Sequence, residues 1–270
     1  MSAAASALPD AVTLYASFDE SPAADFGGGE LSLSTRSGKL SEPARFVFQQ
    51  GFDPSIYRIA PGKGIHGGAL ECLDVLPESG RIYYPARGNL AYRPGGWDGA
   101  LSLWINTDPD TMLKTPFCDP FQITEKGANN GAIWIDFPDV RPRDLRLGTY
   151  PATPEGGKPI PESDPAAPTF RVEKISFRSG EWHHLAVTWT NLDTGRPDGR
   201  SVLYIDGKRM GEVAGDLRMN WNLDRTGIFL AINYIGLLDE FALFGRALSD
   251  SEVVQLREHP GMLAAYKKKR

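Results

Sequence analysis

Short apolar runs separated by turn signals recur along almost the whole sequence, and they constrain its fold more than any other feature. Helical patterns are almost absent, and the best candidate is the segment 250–258 after Ser249. Many short strands joined by turns are typical of two packed antiparallel sheets, so we expect an all-β sandwich. The predicted strands are 13–18, 69–75, 81–84, 100–106, 121–124, 132–137, 144–149, 174–178, 183–190, 201–205, 227–233 and 237–244.

Composition and charge exclude some classes of protein. The 29 glycines and 21 prolines suit a chain with many turns, and 270 residues permit one large domain or two small ones. The net charge of −5 gives no reason to expect nucleic acid or an anionic membrane as a partner. No apolar run approaches the ~18 residues of a membrane-spanning helix, so we expect no membrane insertion.

The two ends and the two cysteines carry little information. Residues 1–9 lack the charged region and apolar core of a secretory signal peptide, although a removed leader stays open. The basic tail 267–270 is interpreted as a solvated terminus. Cys72 is predicted in a strand and Cys118 in a proline-rich loop, so one disulfide and two free thiols both remain open.

Three segments are predicted to be loops, namely 51–68, 108–121 and 151–168. The segment 151–168 is rich in proline and poor in apolar residues, so it cannot bury itself. We expect it to be an exposed insertion on a rigid scaffold, where binding specificity commonly lies.

The sequence Leu-Leu-Asp-Glu-Phe-Ala-Leu-Phe places an acid, Asp239, inside an otherwise apolar strand. Strict alternation puts Asp239 on the same face as Phe241 and Leu243. An unpaired buried carboxylate costs several kcal/mol, so Asp239 needs a cation or several hydrogen-bond donors. Farther along, Ser249 and Glu252 have the spacing of a capping box, which predicts that a short helix begins there.

Several motifs together resemble the laminin-G-like jelly roll of the concanavalin A-like lectin/glucanase superfamily. They are Gly-Glu-Trp-His-His-Leu-Ala-Val-Thr at 180–188, Leu-Tyr-Ile-Asp-Gly-Lys at 203–208, and the Leu-Asp-Glu to Ser-Glu-Val stretch at 238–253. The segments that begin at Leu14, Gly67 and Leu101 also look like early strands of that family. Because these pieces keep the family's order from residue 14 to 253, we predict a single domain, with a core at about 12–258 and a tail at 259–270.

The resemblance implies a structural calcium ion that joins the first strand to the last. The carried-over ligand is Asp239, with Asp19 and a carbonyl of Gly67 or Gly68 as its neighbours. Such oxygen donors suit Ca²⁺, which is a hard cation. The alternative is that Asp239 accepts backbone N–H groups and that no metal binds.

Alternation also predicts a set of outward polar and aromatic side chains. Leu101, Leu103 and Ile105 face the core, as do the apolar residues of 133–137 and 185–189, which leaves other side chains outside. The outward candidates for ligand binding are Trp104, Asn106, Trp134, Asp136 and His184. Rings that stack on sugar faces beside planar polar groups suit a carbohydrate. The alternative is that 151–168 folds over this face and makes Trp104 and Trp134 a second small core.

Catalytic motifs do not stand out, so we predict no catalytic residue. Glycosidases with this fold place paired acids on one strand, and the nearest pattern here is Glu162-Ser-Asp164 in the insertion. We therefore predict a non-catalytic, lectin-like module that binds a polysaccharide or a glycosylated surface. A structural or adhesion module with a protein partner and a polysaccharide-degrading enzyme remain as alternatives. The resemblance implies an extracellular or periplasmic location.

Overall fold

Two antiparallel sheets packed face to face form this protein. The computed structural model describes residues 7–38, 47–77 and 80–269, and the side chains up to residue 266. Residues 1–6 and the side chains of the basic tail 267–270 therefore lie outside the described residues. The strands are β1 Val12–Ala16, β2 Phe26–Gly27, β3 Ser34–Ser37, β4 Val47–Gln50, β5 Tyr57–Ala60, β6 Ala69–Cys72, β7 Arg81–Pro85, β8 Trp97–Asn106, β9 Cys118–Thr124, β10 Ala132–Phe137, β11 Leu145–Tyr150, β12 Thr169–Val172, β13 His183–Leu192, β14 Gly199–Ile205, β15 Lys208–Gly215, β16 Gly227–Ile232 and β17 Gly236–Phe244.

The described strands divide into a nine-stranded and an eight-stranded sheet. The first has the order β15-β14-β13-β8-β17-β1-β2, and β6 pairs with β17 while β5 pairs with β6. The second has the order β12-β11-β10-β9-β16-β7-β3-β4. This arrangement confirms the predicted jelly-roll sandwich of two antiparallel sheets.

The core between the sheets follows the alternation of the sequence. Leu101, Leu103 and Ile105 of β8 point into it, as do Leu185 and Val187 of β13. The eight-stranded sheet contributes alternate apolar residues from β9, β10 and β16. A face buried against a second sheet removes its apolar side chains from water, which is the main force that holds the sandwich together.

The C-terminal part of the chain covers the outer face of the nine-stranded sheet. Helix α1, Asp250–Glu258, begins at Ser249 with both bonds of the predicted capping box. Its buried residues Val253 and Leu256 join a second apolar cluster on that face, together with Leu263. The outer face of this sheet is therefore largely a packing surface.

The structure differs from the predicted strands mainly at irregular and edge segments. The predicted strand 174–178 is wrong, because this segment is irregular, although Ile175 and Phe177 are buried in the core. The alternation of apolar residues in this segment indicates which side chains are buried, but it does not show whether the backbone hydrogen-bonds to a neighbouring strand. Strand β12 precedes it instead, and β5 lies inside the predicted loop 51–68.

Both cysteines are buried in strands and are not bonded to each other. Cys118 lies at the start of β9 rather than in the predicted loop, and Cys72 ends β6 as expected. Burial raises the pKa of both thiols, so neither is activated for chemistry at neutral pH.

The capping box should contribute measurably to stability. Ser249 accepts the backbone N–H of Glu252, and Glu252 accepts the N–H of Ser249 at 2.9 Å. We expect Ser249→Ala to lower the free energy of unfolding by about 1 kcal/mol, measured by chemical denaturation. The neighbouring Ser251→Ala is the matched control and should change it much less; equal losses would contradict a capping role.

Candidate functional site

A bulge in the last strand reverses the predicted orientation of Asp239. The pairing of β17 with β8 shifts between Asp239 and Ala242, and Glu240 has a φ of 51°. Asp239 lies opposite Trp104, on the outward side, while Phe241 packs in the core. The prediction that Asp239 shares a face with Phe241 and Leu243 is therefore wrong, because strict alternation cannot anticipate a bulge.

Asp239 is buried and accepts backbone hydrogen bonds. Its Oδ1 accepts the N–H of Glu240 at 2.8 Å, and its Oδ2 accepts the N–H of His66 at 3.2 Å. Burial and the nearby charges of Glu240 and Asp19 raise the pKa of Asp239 to about 8. The donors expected under the metal-free alternative are present, but they do not keep this carboxyl ionised at neutral pH.

Other oxygens converge on the same place. A Cβ added at Gly64 would lie 2.0 Å from the Gly68 carbonyl, 2.6 Å from Asp239 Oδ2 and 2.7 Å from the His66 carbonyl. Asp19 Oδ1 accepts the N–H of Gly68 at 2.8 Å. The described residues contain no group of three or more His, Cys, Asp or Glu side chains arranged to hold a metal. The oxygens gathered here thus come mainly from the backbone.

The predicted ligand Gly67 plays a different part in this turn. Its carbonyl accepts the N–H of Gly64 at 3.1 Å, and its φ is 67°. A Cβ at Gly67 would lie 1.8 Å from Asp19 Oδ1, so only glycine fits there. Gly68, the other predicted carbonyl, is the one near Asp239.

Glu240 is a buried acid that the sequence analysis did not single out. Tyr15 donates its hydroxyl to both carboxylate oxygens at 2.9 Å, and Gly261 donates its N–H at 3.0 Å. Burial raises the pKa of Glu240 to about 7. The signal in the sequence was the acid pair Asp239-Glu240 within an otherwise apolar strand.

The predicted ligand-binding residues do not form one surface. Trp104, Asn106 and His184 lie on β8 and β13 of the nine-stranded sheet, whereas Trp134 and Asp136 lie on β10 of the eight-stranded sheet. Outward residues of the two sheets point in opposite directions. The expectation of a common platform is therefore wrong, because alternation gives a face within a strand but not the sheet to which the strand belongs.

The residues of the nine-stranded sheet are buried and bonded to one another. The Trp104 and His184 rings lie 5.2 Å apart, and His184 Nε2 is 2.8 Å from Ser102 Oγ. Burial lowers the pKa of His184 to about 4. Asn106 Oδ1 accepts the N–H of Gly180 at 2.8 Å. These contacts describe a polar packing layer rather than an open site.

The insertion 151–168 covers Trp134, as the alternative interpretation proposed for this residue. Trp134 is 1% exposed, packs with Ile160 and Ala167, and donates Nε1–H to the Ala128 carbonyl at 2.8 Å. Its ring also lies against Gly148 of β11, where no side chain separates them. Trp134 is thus part of a small apolar core beneath the insertion.

Asp136 takes part in a buried ion pair that also holds the insertion. Arg146 donates Nε–H to Asp136 Oδ1 at 2.8 Å and Nη2–H to Glu162 Oε2 at 2.8 Å. Glu162 belongs to the insertion, so one guanidinium bridges the sheet and the loop. Burial and the proximity of Asp136 raise the pKa of Asp119 on the next strand. A buried arginine that bridges two carboxylates fixes geometry because every charge is paired.

A cleft remains open on the outer face of the eight-stranded sheet, three strands away from Trp134. Its volume is about 490 Å³. Its walls are Arg36 of β3, Phe48 of β4, Tyr83 of β7 and the two connections that hold Glu125 and Asp224. The sequence analysis missed this cleft because the polar strand β3 and the short strand β4 have no clear apolar pattern.

Aromatic side chains form much of the cleft wall. Phe48 is 62% exposed and meets Tyr83 edge to face, with ring centres 6.4 Å apart. Tyr83 in turn contacts the buried Phe229 ring at 5.7 Å. The guanidinium of Arg36 lies over Phe229, with Cζ 4.4 Å from the ring centre. Strand 81–84 was predicted correctly. The alternation that puts Arg81 and Tyr83 on one face of this strand was the sequence pattern that pointed to the cleft.

The acids of the cleft are already paired with arginines. Glu125 forms an ion pair with Arg225 at 2.6 Å, and it also accepts the N–H of Asn222 at 2.8 Å. Asp224 pairs with Arg87. The cleft therefore combines the exposed Phe48 ring and the half-buried Tyr83 ring with fixed charges of both signs.

Comparison with known proteins agrees with this architecture. A model of the Laminin G 3 family, in the concanavalin A-like lectin/glucanases superfamily, matches residues 97–254. This match spans more than half of the chain, so the chain belongs to that family. Curated proteins give no significant match.

Several solved structures share this fold. Domain 4 of AbnA, an extracellular arabinanase of Geobacillus stearothermophilus solved with arabinotriose, is 19% identical with a TM-score of 0.52, covering 91% of this chain and 98% of that one. The binding domain of Paraclostridial Mosquitocidal Protein 1 is 17% identical with a TM-score of 0.56, covering 93% and 52%. That of botulinum neurotoxin DC, solved with rat synaptotagmin II, is 14% identical with a TM-score of 0.56, also covering 93% and 52%. This chain thus spans about half of the toxin domains, and these likenesses show the fold alone.

The contact of Trp134 with Gly148 allows a direct test of the packing that buries the Trp134 ring. A Cβ at position 148 would lie 2.2 Å from the Trp134 ring, so we expect Gly148→Ala to lower the free energy of unfolding by about 1–3 kcal/mol. Chemical denaturation measures this loss. In a Trp134→Ala background the same change should cost much less, and an equal cost in both backgrounds would contradict the packing described here.

Proposed function

We propose that this member of the concanavalin A-like lectin/glucanases superfamily is a non-catalytic carbohydrate-binding module with its site in the cleft beside Phe48 and Tyr83. The observation that carries the proposal is the combination, in one cleft, of the exposed Phe48 ring, the half-buried Tyr83 ring and fixed charged groups. Sugars present C–H faces that stack on rings and hydroxyls that need donors and acceptors. This site replaces the predicted platform of Trp104 and Trp134, whose rings are buried.

The size of the cleft supports a small segment of a glycan as the ligand. Its volume of about 490 Å³ lies within the usual range of roughly 300–1,000 Å³ for small-molecule sites. The solved arabinanase domain with arabinotriose offers an analogy for a sugar on this fold. Fold analogy alone does not assign a function, so the proposal depends on the cleft residues.

A protein partner is the second candidate, as in the structural or adhesion interpretation of the sequence. The specific observation that favours it is the exposure of two neighbouring large apolar side chains on β4, Val47 at 64% and Phe48 at 62%. Exposed apolar neighbours mark interaction surfaces more often than isolated ones do. The toxin domain solved with synaptotagmin II gives a parallel on the same fold.

The location of the module remains part of the proposal. We propose an extracellular or periplasmic site of action, on the basis of the family resemblance. Among the described residues, no helix is long and apolar enough to cross a membrane.

Glycan binding is tested by a polysaccharide array followed by titration calorimetry. For any glycan that binds, we expect Tyr83→Ala or Phe48→Ala to weaken the affinity by up to about tenfold, because a ring contact contributes on the order of 0.5–1.5 kcal/mol beyond the area that it buries and 1.4 kcal/mol is tenfold in affinity. Met210→Ala, which removes an exposed apolar side chain on β15 of the other sheet, is the matched control and should leave the affinity unchanged. A flat array, or equal binding by all variants, would overturn this site.

We also propose a structural calcium ion at Asp239. The oxygens that converge near Gly64 suit a hard cation, since they combine a carboxylate with the carbonyls of His66 and Gly68. Asp19 is next to them. A bound divalent ion would supply the positive charge that this group of acids lacks, and so keep Asp239 ionised. Asp239, Asp19 and the Gly68 carbonyl are the residues that would hold it.

Without a bound ion, the raised pKa of Asp239 predicts that stability depends on pH with a defined sign. The pKa of Asp239 is raised in the folded protein from 3.8 to about 8, so the folded state holds a proton that the unfolded chain releases. This contribution to stability is present below about pH 4 and is lost as the pH rises towards 8. In chelator, we expect the stability of the parent relative to Asp239→Asn to fall by about 1 kcal/mol per pH unit in this window.

Calcium should remove this loss in the parent alone. We expect Ca²⁺ at pH 8 to raise the melting temperature of the parent and to leave Asp239→Asn unmoved, measured by differential scanning calorimetry. Asp53→Asn is the matched control, since the Asp53 carboxylate accepts its hydrogen bonds from Ser55 in its own turn, and it should keep the response. A calcium response in Asp239→Asn, or none in the parent, would refute the site.

A further inference from the structure

The insertion 151–168 covers aromatic rings without entering the interior of the protein. None of its residues is buried, whereas Trp134 and Tyr150 beneath it are 1% and 0% exposed. The hydrophobic gain from closing the insertion therefore comes mainly from the area of the rings that it removes from water. A ligand with an apolar face would cover the same rings and recover the same gain.

Few polar bonds hold the middle of the insertion in place. Residues 154–166 make two described polar contacts with the sheet and the loop beneath them. The Ile160 carbonyl accepts a side-chain N–H at 3.1 Å, and Glu162 accepts Nη2–H of Arg146 at 2.8 Å. Glu162 is 25% exposed, so water readily takes the place of this bond. Arg146 then keeps its pair with Asp136, and no buried charge loses its partner.

The rings under the insertion are held in place by other parts of the chain. Trp134 donates Nε1–H to the Ala128 carbonyl, and its ring lies against Gly148. The guanidinium of Arg146 lies over the same ring, 5.2 Å from its centre. Tyr150 stacks beside Trp134 with ring centres 5.7 Å apart and an angle of 24° between the planes. These partners belong to the sheet or to the loop after β9, so the sheet holds a preformed aromatic site below the insertion.

This aromatic site lies in line with the open cleft. Tyr83 of β7 is paired in register with Phe229 of β16. Gln122 of β9 is paired with Phe229 on one side and with Trp134 of β10 on the other. Tyr83 and Trp134 therefore lie in one row across three strand spacings, which is a distance of about 14 Å. A glycan that stacks on Tyr83 and follows this row meets the insertion where it covers Trp134.

We infer that Trp134 and Tyr150 form a second sugar subsite, which the insertion 151–168 keeps closed and which a glycan longer than the cleft opens by displacing the insertion. This inference rests on the proposed carbohydrate-binding function and adds a dependence on chain length. The exposed ring would stack on a sugar, and the N–H of Arg146 that Glu162 releases would donate to a sugar hydroxyl. Since the closed state cannot bind there, the apparent affinity is reduced to the fraction that is open.

Titration calorimetry with glycans of two lengths tests the inference. The probes are the trimer and the hexamer of arabino-, xylo- and cello-oligosaccharides, and the same two lengths of any further glycan that the array identifies. We expect the hexamer to bind the parent about three- to tenfold more tightly than the trimer, because the hexamer alone reaches both rings. In ¹⁵N spectra, the indole N–H signal of Trp134 should shift with the hexamer and stay in place with the trimer.

Variants of the insertion and of the ring beneath it separate the subsite from a general effect of length. We expect Glu162→Ala to increase the preference for the hexamer by a further factor of about three to ten, because it loosens the closed state. Glu155→Ala, which removes an exposed acid of the same insertion, is the matched control and should leave the preference unchanged. Trp134→Leu keeps an apolar side chain without the ring and should remove the preference.

A hexamer offers more binding registers than a trimer, but this advantage is the same for every variant. The melting temperature shows whether each variant folds. If Trp134→Leu does not fold, the comparison of Glu162→Ala with Glu155→Ala and the indole signal of the parent decide the question.

The outcomes distinguish this inference from the function on which it rests. If trimer and hexamer bind equally well in the parent and in Glu162→Ala, and the Trp134 signal does not move, the inference is overturned and the carbohydrate-binding function stands. A hexamer preference that Glu162→Ala and Trp134→Leu leave unchanged also overturns it. If no glycan of either length binds, the proposed function fails and the inference fails with it.

Discussion

The bulge at Glu240 is the constraint on which much of this structure depends. It lets β17 place Leu238 and Phe241 in the core while Asp239 and Glu240 both remain outside it. An uninterrupted strand would force one of the two acids between the sheets, where an unpaired carboxylate costs several kcal/mol. The same bulge aims Asp239 at the turn of His66 and Gly68, and aims Glu240 at Tyr15. Register, burial and the placement of two acids thus follow from one residue with positive φ.

Both outer faces of the sandwich are partly covered, and the uncovered part defines the candidate site. The C-terminal helix covers one sheet, and the insertion 151–168 covers one end of the other through Trp134 and the Arg146–Glu162 pair. In the part of the chain that the structure describes, the opposite end of the eight-stranded sheet stays uncovered, and there Phe48 and Tyr83 line a cleft. On this fold, a candidate site is therefore better identified from the surface that the loops leave uncovered than from the aromatic residues that alternation places outside the core.

The sequence allowed the architecture to be predicted, but not the site. Strand β10 was predicted with its observed bounds because its apolar residues and flanking turn signals agree. Alternation placed Trp134 and Trp104 outside the core correctly, yet it could not assign them to different sheets, since that depends on pairing between distant strands. Arg36 and Phe48 could not be found because β3 and β4 have only four residues each, and all four residues of β3 are polar. The bulge at Glu240 depends on three-dimensional pairing and leaves no local pattern.

The bonds of Glu240 have a mechanical consequence. Val12 of β1 lies beside Phe244 of β17, so the outer ends of these two strands meet at the same point of the sheet. A pulling force transmitted through both strands would open their hydrogen bonds one after another, like a zipper, instead of loading them together. The carboxylate of Glu240, tied to Tyr15 and to Gly261, stands farther along this path. The hydrogen bond between Tyr15 and Glu240 would have to break before β1 and β17 could separate further.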